Sequence, residues 1–370
     1  MQLSFWEYKN WFCHVDFTIV GSGIVGVHCA LRLRERFPKS KILILEKGFL
    51  PEGASTKNAG FACFGSVSEI LDDLKKLSEE EAVKLIRKRW NGLQLLRKSL
   101  GDKTIDFRMY GGYELFLKED ETLYAECVDK IDYVNSLLQE VFGQKVFQLK
   151  KNPFHFENIH DNLIFNPFEG QIDTGDMMQA LIKKASQNNI YILNNQTVQG
   201  FVDNTNGVEV LLKNFSFKTG KLFFATNGFA GKLVSDEVKP ARAQVLITEP
   251  IPGLDIKGTF HLDEGYYYFR NIGERILFGG GRNLDFEGES TTEFQVTELI
   301  QSRLETLLKE VILPNKQVEI KHRWSGIMGV GKHRTPIIKA ISDNVFCGVR
   351  LGGMGVAIGS LVGKELADLV

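Results

Sequence analysis

The sequence of 370 residues has a formal net charge of -1, with 43% hydrophobic and 25% charged residues, a composition typical of a globular protein. The near-neutral charge argues against nucleic-acid binding, and we expect no nucleic acid among its partners. The first residues lack a basic region followed by a long apolar run, and no later stretch has the apolar length needed to span a bilayer, so we expect a cytoplasmic protein without a membrane span. The 5 cysteines and 7 histidines are scattered without CxxC or ligand spacing, which predicts neither a disulfide framework nor a metal site.

A glycine-rich turn follows the first apolar strand of the chain. Residues 17–20 predict the strand, and Gly21-Ser22-Gly23-Ile24-Val25-Gly26 leads into a helix. In this pattern the first glycine makes a tight turn, the second lets the backbone approach a pyrophosphate, and the third lets the helix pack on the strand. About twenty residues later Glu46 ends a second apolar strand, where a carboxylate binds ribose hydroxyls and disfavours NADP. The unit predicts a site for FAD or NAD, with the phosphates at the helix N-terminus.

Two unusual stretches flank this unit. Residues 1–16 contain five aromatic side chains, which we expect to cover the sheet rather than to present a partner surface. These are Phe5, Trp6, Tyr8, Trp11 and Phe12. Residues 48–66 are rich in glycine, alanine and serine, which predicts a backbone that closely approaches a flat or charged ligand.

The chain after residue 78 leaves the strand–helix alternation and then returns to it. Apolar spacing predicts amphipathic helices over 79–98 and 120–141, and the Gly111-Gly112 pair predicts a β-hairpin over 105–117. A helix after Asp173 and an apolar strand over 221–226 mark the return. Short strands are predicted between them, at 190–193, 197–202 and 208–212. Residues 240–278 predict antiparallel strands and residues 293–311 a further helix.

A second glycine-rich turn lies near the end of the sequence. An apolar strand begins at Val345, the turn spans 348–355, and a helix continues through Leu366. This turn offers another helix N-terminus to the same ligand, a feature that a nicotinamide enzyme seldom needs.

These elements predict an α/β fold with two intertwined domains. We assign residues 1–78, 152–235 and 323–370 to a Rossmann-like nucleotide-binding domain. Residues 79–151 and 236–322 form the second domain, an α+β substrate domain built on an antiparallel sheet. Both domains are therefore expected to be discontinuous in sequence.

The elements in this order resemble the FAD-dependent amine and amino-acid oxidases, a family that includes D-amino-acid oxidase, glycine oxidase and monomeric sarcosine oxidase. The γ-glutamylputrescine oxidoreductase-like branch is the most similar in pattern, and the resemblance covers nearly the whole chain. Besides the first glycine-rich turn, it depends on Ser55-Thr56-Lys57-Asn58-Ala59-Gly60, Gln171-Ile172-Asp173, Ala225-Thr226-Asn227-Gly228, Pro240-Ala241-Arg242-Ala243-Gln244, Tyr268-Phe269-Arg270, Arg275-Ile276-Leu277-Phe278-Gly279-Gly280, Arg323-Trp324-Ser325-Gly326 and Gly353-Met354-Gly355.

The resemblance implies FAD, bound non-covalently in an extended form by a domain of the glutathione-reductase type. It assigns the pyrophosphate to the first glycine-rich turn, the adenosine ribose to Glu46, the adenine to the main chain of Val198 and the isoalloxazine to residues 58–61. The start of the last helix would lie near the pyrimidine edge of the flavin. The implied FAD-binding residues are Gly21, Ser22, Gly23, Ile24, Val25, Gly26, Glu46, Lys47, Ser55, Thr56, Asn58, Ala59, Gly60, Phe61, Val198, Ala225, Asn227, Gly228, Gly326, Gly352, Gly353, Met354, Gly355 and Val356.

Three departures from the family bear on the reaction. Met328 aligns with the carboxylate-binding arginine of glycine oxidases, which predicts weaker binding of small α-amino acids. Covalently flavinylated relatives have a cysteine near Gly326, so FAD should be dissociable here. Sarcosine oxidases have an oxygen-activating lysine near the position of Leu277, so its absence leaves open whether the acceptor is oxygen or another electron acceptor.

The candidate catalytic residues are Tyr266, Tyr268, Arg270, Met328 and Asn58. Strand alternation places Tyr266 and Tyr268 on one face, either as substrate-facing phenols or as part of a buried aromatic strand. Arg270 follows on the same face and either binds a substrate carboxylate or closes a structural salt bridge. Asn58 would lie beside the flavin.

We therefore expect an oxidoreductase that acts on the CH–NH group of a small amine or amino acid. A hydride would pass from the carbon next to nitrogen to flavin N5, giving an imine that hydrolyses. Two alternatives stay open, a flavin- or RNA-modification-associated member of the same fold and an NAD-dependent dehydrogenase. The sequence does not predict the oligomeric state.

Overall fold

The protein was analysed as a computed structural model that describes residues 3–231, 234, 237–314 and 316–370. The strands are β1 (Val15–Val20), β2 (Ile42–Leu45), β3 (Phe61–Ala62), β4 (Gly112–Glu114), β5 (Gln148–Lys151), β6 (Asn162–Asn166), β7 (Gly170–Gln171), β8 (Tyr191–Leu193), β9 (Val198–Asn204), β10 (Gly207–Leu212), β11 (Ser216–Phe224), β12 (Lys239–Thr248), β13 (Thr259–Leu262), β14 (Tyr267–Ile272), β15 (Arg275–Gly280), β16 (Ile320–Val330), β17 (Ile337–Ala340) and β18 (Val345–Val349). The α-helices are α1 (Phe5–Glu7), α2 (Ile24–Arg36), α3 (Ala54–Lys57), α4 (Val67–Leu74), α5 (Glu79–Leu100), α6 (Glu121–Phe142), α7 (Thr174–Gln187), α8 (Glu298–Leu307) and α9 (Gly355–Ala367).

The first sheet has the order β17-β18-β11-β1-β2-β8, and the β9–β10 hairpin joins it at β11. Its central pairs, β1 with β2 and β1 with β11, are parallel. The β2 side chains are all buried, as expected for a parallel strand that is covered on both faces. The strands and helices predicted from the first glycine-rich unit and from residues 172–226 are present, with ends that differ by a few residues.

Helices α2, α5, α7 and α9 cover one face of this sheet and share its apolar core. Glycines allow α9 to lie unusually close to α2. A Cβ on Gly363 would overlap the carbonyl oxygen of Val25 and would lie 2.8 Å from Cβ of His28. A Cβ on Gly359 would lie 3.0 Å from a methyl carbon of Ile24. The two helices therefore begin side by side at the same edge of the sheet.

The second sheet has the order β16-β12-β15-β14-β13-β4-β6-β5, and all of its pairs are antiparallel except β13 with β4. Helix α8 and the π-helical turn Leu308–Ile312 pack on one apolar core of this sheet. Helices α4 and α6 share another core with it. The predicted α/β class, with a second α+β unit on an antiparallel sheet, is confirmed.

The predicted β-hairpin over 105–117 is wrong. Only Gly112–Glu114 form a strand there, and its partners are β6 and β13, which come later in the chain. The glycine pair serves close packing instead of a hairpin turn. A Cβ on Gly111 would overlap the ring of Phe165, and one on Gly112 would overlap the carboxylate of Glu169.

The division into domains stays a proposal, and the sheets suggest different boundaries for it. Strand β6, within the predicted nucleotide-binding segment 152–235, belongs to the second sheet, as does β16, most of which lies within 323–370. The predicted boundary between residues 235 and 236 lies outside the described residues. A division by sheets would move residues 152–166 and 323–330 to the second domain.

The aromatic side chains near the N-terminus do not cover the sheet as expected. Phe5 and Trp6 are 66% and 65% exposed, and Tyr8 and Trp11 are exposed as well. Only Phe12 of this group is buried, where its ring packs on Phe217 of β11. Separately, none of the helices in the described ranges is long and apolar enough to cross a membrane.

The close contact of α9 with α2 predicts that Gly363→Ala destabilises the protein. The added Cβ would overlap backbone rather than a flexible side chain, so the helices must separate despite the better helix propensity of alanine. We expect a loss of about 1–3 kcal/mol in the free energy of unfolding, measured by denaturant titration.

Gly200→Ala is the matched control, because its Cβ would make an ordinary contact of 3.6 Å with Leu211. Equal stability of the Gly363 variant and the wild type would contradict the packing argument.

Candidate functional site

A cavity of about 620 Å³ lies between the two sheets. It extends from the turn after β1, past the start of α9, to side chains of β13 and β14. Its volume is in the range of about 300–1,000 Å³ that is usual for ligand sites. Within the described residues, no cluster of three or more side chains could hold a metal ion.

The N-termini of α2 and α9 both line this cavity. Gly21 turns the chain with a φ of +104°, and a Cβ on Gly26 would overlap the carbonyl oxygen of Gly21. The Ser55 hydroxyl, from α3, accepts a hydrogen bond of 3.0 Å from the Ile24 N–H. The N–H groups of Gly23 and Val25 have no acceptor among the described residues. The turn therefore offers free backbone donors and close access for an anion.

Glu46 ends β2 at one end of the cavity, and only 5% of it is exposed. One carboxylate oxygen accepts hydrogen bonds from the Ser22 N–H at 3.0 Å and from its hydroxyl at 2.7 Å. The other oxygen accepts from the Gly48 N–H at 3.1 Å. These donors hold the carboxylate in place, and its remaining lone pairs can accept from a ribose.

The segment 58–60 forms one wall, and its side-chain contacts differ from the expected ones. The Asn58 amide accepts from the Gly60 N–H at 2.8 Å and from the Thr174 hydroxyl at 2.9 Å, and it donates to the Ser55 carbonyl at 2.9 Å. This side chain therefore holds the loop, and the placement argues against a catalytic role for Asn58.

Arg270 lies behind the same segment and does not line the cavity. Its guanidinium donates to the carbonyls of Ala59 and Ile172, and it is buried. The side chain therefore fixes the backbone position of residues 59–60 from behind. This placement favours the structural reading of Arg270 over carboxylate binding.

Rings of Phe61, His261 and Tyr268 form an aromatic wall of the cavity. The Phe61 ring meets His261 and Tyr268 edge to face, with centroid distances of 5.3 and 5.5 Å. Burial raises the pKa of Tyr268 to about 12, so this phenol is neutral at physiological pH.

His261 was not singled out from the sequence. Burial favours its neutral form, but a hydrogen bond of 2.9 Å to Glu169 and the charge of that carboxylate raise the pKa of His261 to about 9. His261 therefore brings a positive charge to the aromatic wall, and Glu169, which does not line the cavity, compensates it.

Met328 lines the cavity, as the alignment with the glycine-oxidase arginine implied. A Cβ on Gly353 would lie 3.5 Å from the sulfur of Met328, so this thioether packs against the turn before α9. Two further sulfur-containing side chains, Met354 and Cys63, also line the cavity, and their sulfur atoms lie 4.0 Å apart.

Arg282 and Arg334 line the cavity but were not among the site residues predicted from the sequence. Arg334 is paired with Asp72 at 2.5 Å and with Asp73 at 3.2 Å. Arg282 follows β15, and its guanidinium carbon lies 5.5 Å from the ring centroid of Tyr266. The spacing of residues in the sequence could not reveal either one as a site residue, because each is a single arginine outside any repeated pattern.

Most of the predicted site residues meet at this one cavity. The predicted residues that line it are Gly21, Gly23, Ile24, Val25, Glu46, Lys47, Ser55, Asn58, Ala59, Phe61, Val198, Ala225, Asn227, Tyr266, Tyr268, Gly326, Met328, Gly352, Gly353, Met354, Gly355 and Val356. Those behind its surface are Ser22, Gly26, Thr56, Gly60, Gly228 and Arg270. The arrangement fits FAD, because free N–H groups, a ribose acceptor and a wall of flat side chains follow one another along a single elongated space.

Comparison with known proteins agrees with this fit. A family model described as FAD dependent oxidoreductase, DAO, matches residues 16–369. A probable oxidoreductase OrdL of Haemophilus influenzae is 21% identical over 379 aligned positions, which cover 96% of this chain and 83% of the relative.

Solved structures show the same fold. Glycine oxidase from Geobacillus kaustophilus superposes with a TM-score of 0.76 at 20% identity, covering 96% of this chain and 94% of that one. L-proline dehydrogenase from P. horikoshii superposes with a TM-score of 0.75 at 18% identity, covering 96% of this chain and 92% of that one. The family match also decides between FAD and NAD, which the glycine-rich turn alone left open, in favour of FAD.

The position of Glu46 predicts that Glu46→Gln weakens FAD binding. The amide keeps the shape of the side chain but loses the charge that strengthens hydrogen bonds from ribose hydroxyls. A loss of about 1.5–3 kcal/mol corresponds to roughly a ten- to hundredfold rise in the FAD dissociation constant, measured by fluorescence titration of the apoprotein.

Glu52→Gln is the control, since Glu52 is a nearby carboxylate that does not line the cavity. If both variants bind FAD as the wild type does, the assignment of Glu46 to the cofactor fails.

Proposed function

The chain belongs to the DAO family of FAD-dependent oxidoreductases, and from that premise we propose that it oxidises the carbon–nitrogen bond of a small amine or amino acid. The substrate would lose two electrons and two protons to give an imine, which water hydrolyses to a carbonyl compound and an amine. Bound FAD supplies the hydride acceptor for such chemistry. The solved relatives named glycine oxidase and L-proline dehydrogenase support this class of donor.

One observation carries the proposal: the cofactor cradle and the aromatic wall of Phe61, His261 and Tyr268 belong to the same cavity. A small substrate can therefore be held next to the cofactor by residues of the second sheet. Strand β14 supplies Tyr268, and β13 supplies His261. The rings of Phe61 and Tyr268 exclude water from this wall and so favour the neutral form of an amine, which is the form that can lose a hydride.

The protein side chains have a positioning role in this proposal. Tyr268 is protonated at physiological pH, so it can donate a hydrogen bond but cannot act as a base. The His261 ring is hydrogen-bonded to Glu169, so it too is unsuited to accept a proton. Orientation of the substrate and exclusion of water are the contributions that we assign to this wall.

The position of Leu277 bears on the electron acceptor. This side chain is buried in a small apolar cluster with Ala59 and Val245, behind the segment 58–60. The chain has no lysine at this position, which is where the resemblance places the oxygen-activating residue of sarcosine oxidases. We therefore propose slow reoxidation by oxygen, and an electron acceptor other than oxygen under working conditions.

The first test is an anaerobic screen of amines and amino acids that follows bleaching of the flavin absorption, with air admitted afterwards. We expect bleaching by at least one secondary amine or N-substituted amino acid, and slow return of colour in air. A preparation that carries FAD but is bleached by none of the amines would contradict the proposed function. Immediate recolouring with peroxide would contradict the proposal on the acceptor.

The second test concerns Met328. Met328→Arg should improve kcat/KM for glycine by roughly ten- to hundredfold, because a charge-assisted hydrogen bond to a carboxylate contributes about 1.5–3 kcal/mol. Met328→Leu is the control that keeps the side chain apolar, and it should leave the poor activity on glycine unchanged. Rapid oxidation of glycine by the wild-type protein would overturn this argument.

A further inference from the structure

Arg282 is a cation of the cavity that has no counter-ion among the described residues. It starts the short 3-10 helix Arg282–Leu284, directly after Gly281, whose φ is +79°. The guanidinium carbon lies 5.5 Å from the ring centroid of Tyr266 and 5.1 Å from that of Phe286. Among the described residues the guanidinium has neither a hydrogen-bond acceptor nor a carboxylate partner, although it lines the cavity and is only partly exposed.

The other buried cations of the cavity are compensated. Arg334 is paired with Asp72 and Asp73, and Arg89 lies 3.5 Å from Asp73. His261 is paired with Glu169 at 2.9 Å.

The remaining basic residues differ from Arg282 in position. Lys47, Lys76, Lys332 and His333 are exposed to solvent. The Lys57 ammonium lies 4.8 Å from the ring of Phe294, and its Cβ faces Gly326, in a segment that the resemblance assigns to FAD. Arg282 is thus distinguished by its place beside the candidate substrate wall.

The surroundings of Arg282 favour an anionic ligand. Burial lowers the pKa of Arg282, and the nearby charge of Arg334 acts in the same direction, yet a guanidinium stays protonated in proteins. A partly desolvated cation without a partner is unfavourable until an anion reaches it. The rings of Tyr266 and Phe286 accept no strong hydrogen bond from the guanidinium, so its N–H donors can bind a carboxylate in bidentate fashion.

We propose that Arg282 binds the carboxylate of the substrate. This inference rests on the proposed function and narrows it to amino acids, as opposed to amines without an acidic group. The carboxylate would be held from the end of β15, beside Tyr266, and not from the position of Met328. Arg282 is therefore a specificity-determining residue at a place where the sequence pattern gave no signal.

The test uses FAD-loaded protein and a pair of probes that differ in charge, benzoate and benzamide. Binding is followed by the change in the visible flavin spectrum. The wild type should bind benzoate more tightly than benzamide. Arg282→Met should weaken benzoate binding roughly ten- to hundredfold and leave benzamide binding unchanged. The benzoate affinity of Arg282→Lys should lie between those of the wild type and Arg282→Met. An intact flavin spectrum shows that each variant is folded and loaded.

Lys332→Met is the matched control, because it removes an exposed positive charge from the rim of the same cavity. It should bind both probes as the wild type does. Equal benzoate affinity of Arg282→Met and the wild type would overturn the inference. A wild type that fails to bind benzoate, or binds it no better than benzamide, would overturn it as well.

A kinetic arm separates this inference from the proposed function. For proline and its decarboxylated counterpart pyrrolidine, Arg282→Met should raise KM for proline roughly ten- to hundredfold and leave KM for pyrrolidine unchanged. If no amine bleaches the flavin but benzoate binding depends on Arg282, the proposed function fails and the carboxylate site stands. If amines bleach the flavin and benzoate binding does not depend on Arg282, the proposed function stands and the carboxylate site fails.

Discussion

The close contact between α2 and α9 is the constraint on which the rest of the site depends. Gly359 and Gly363 remove the side chains that would keep these helices apart, and both helices therefore start at the same edge of the parallel sheet. Their N-termini then share one cavity, to which the second sheet adds an aromatic wall. The fold thus brings the dipoles of two helices to one anionic cofactor, although the two turns lie at opposite ends of the sequence.

Most arginine and histidine side chains that line this cavity are paired with carboxylates. Arg89, Arg334 and His261, which line the cavity, are joined to carboxylates, as in the chain Arg89–Asp73–Arg334. Such pairing keeps the walls nearly neutral and lowers the cost of burying each charge. Arg282 departs from this pattern on the side of Tyr266. Because the other arginines of the described part of the cavity are compensated, the charge of Arg282 has a strong directing effect on a small ligand.

The sequence predicted the local elements well and the long-range contacts poorly. The glycine-rich turn, β2, α5 and α6 were recognisable because hydrophobic periodicity and helix caps are local signals, such as the Ser78–Glu81 capping box of α5. The partners of β4 were not, because pairing with β6 and β13 depends on residues far along the chain. Asn58 and Arg270 were placed near the correct wall, but only the structure shows that they brace the backbone. Arg282 could not be predicted, since an arginine after a strand has no distinguishing pattern.

The pairing order of the first sheet also has a consequence for folding. Strand β1 pairs with β11, and β11 pairs with β18, so the sheet combines strands from the beginning, the middle and the end of the chain. Contacts of such long sequence separation form slowly, because the entropy of closing large loops is lost before the contacts are gained. During synthesis, the cofactor cradle can be completed only after α9 has left the ribosome. Until β18 emerges, residues 222–224 of β11 have an unpaired edge, a feature that makes incomplete chains prone to aggregation.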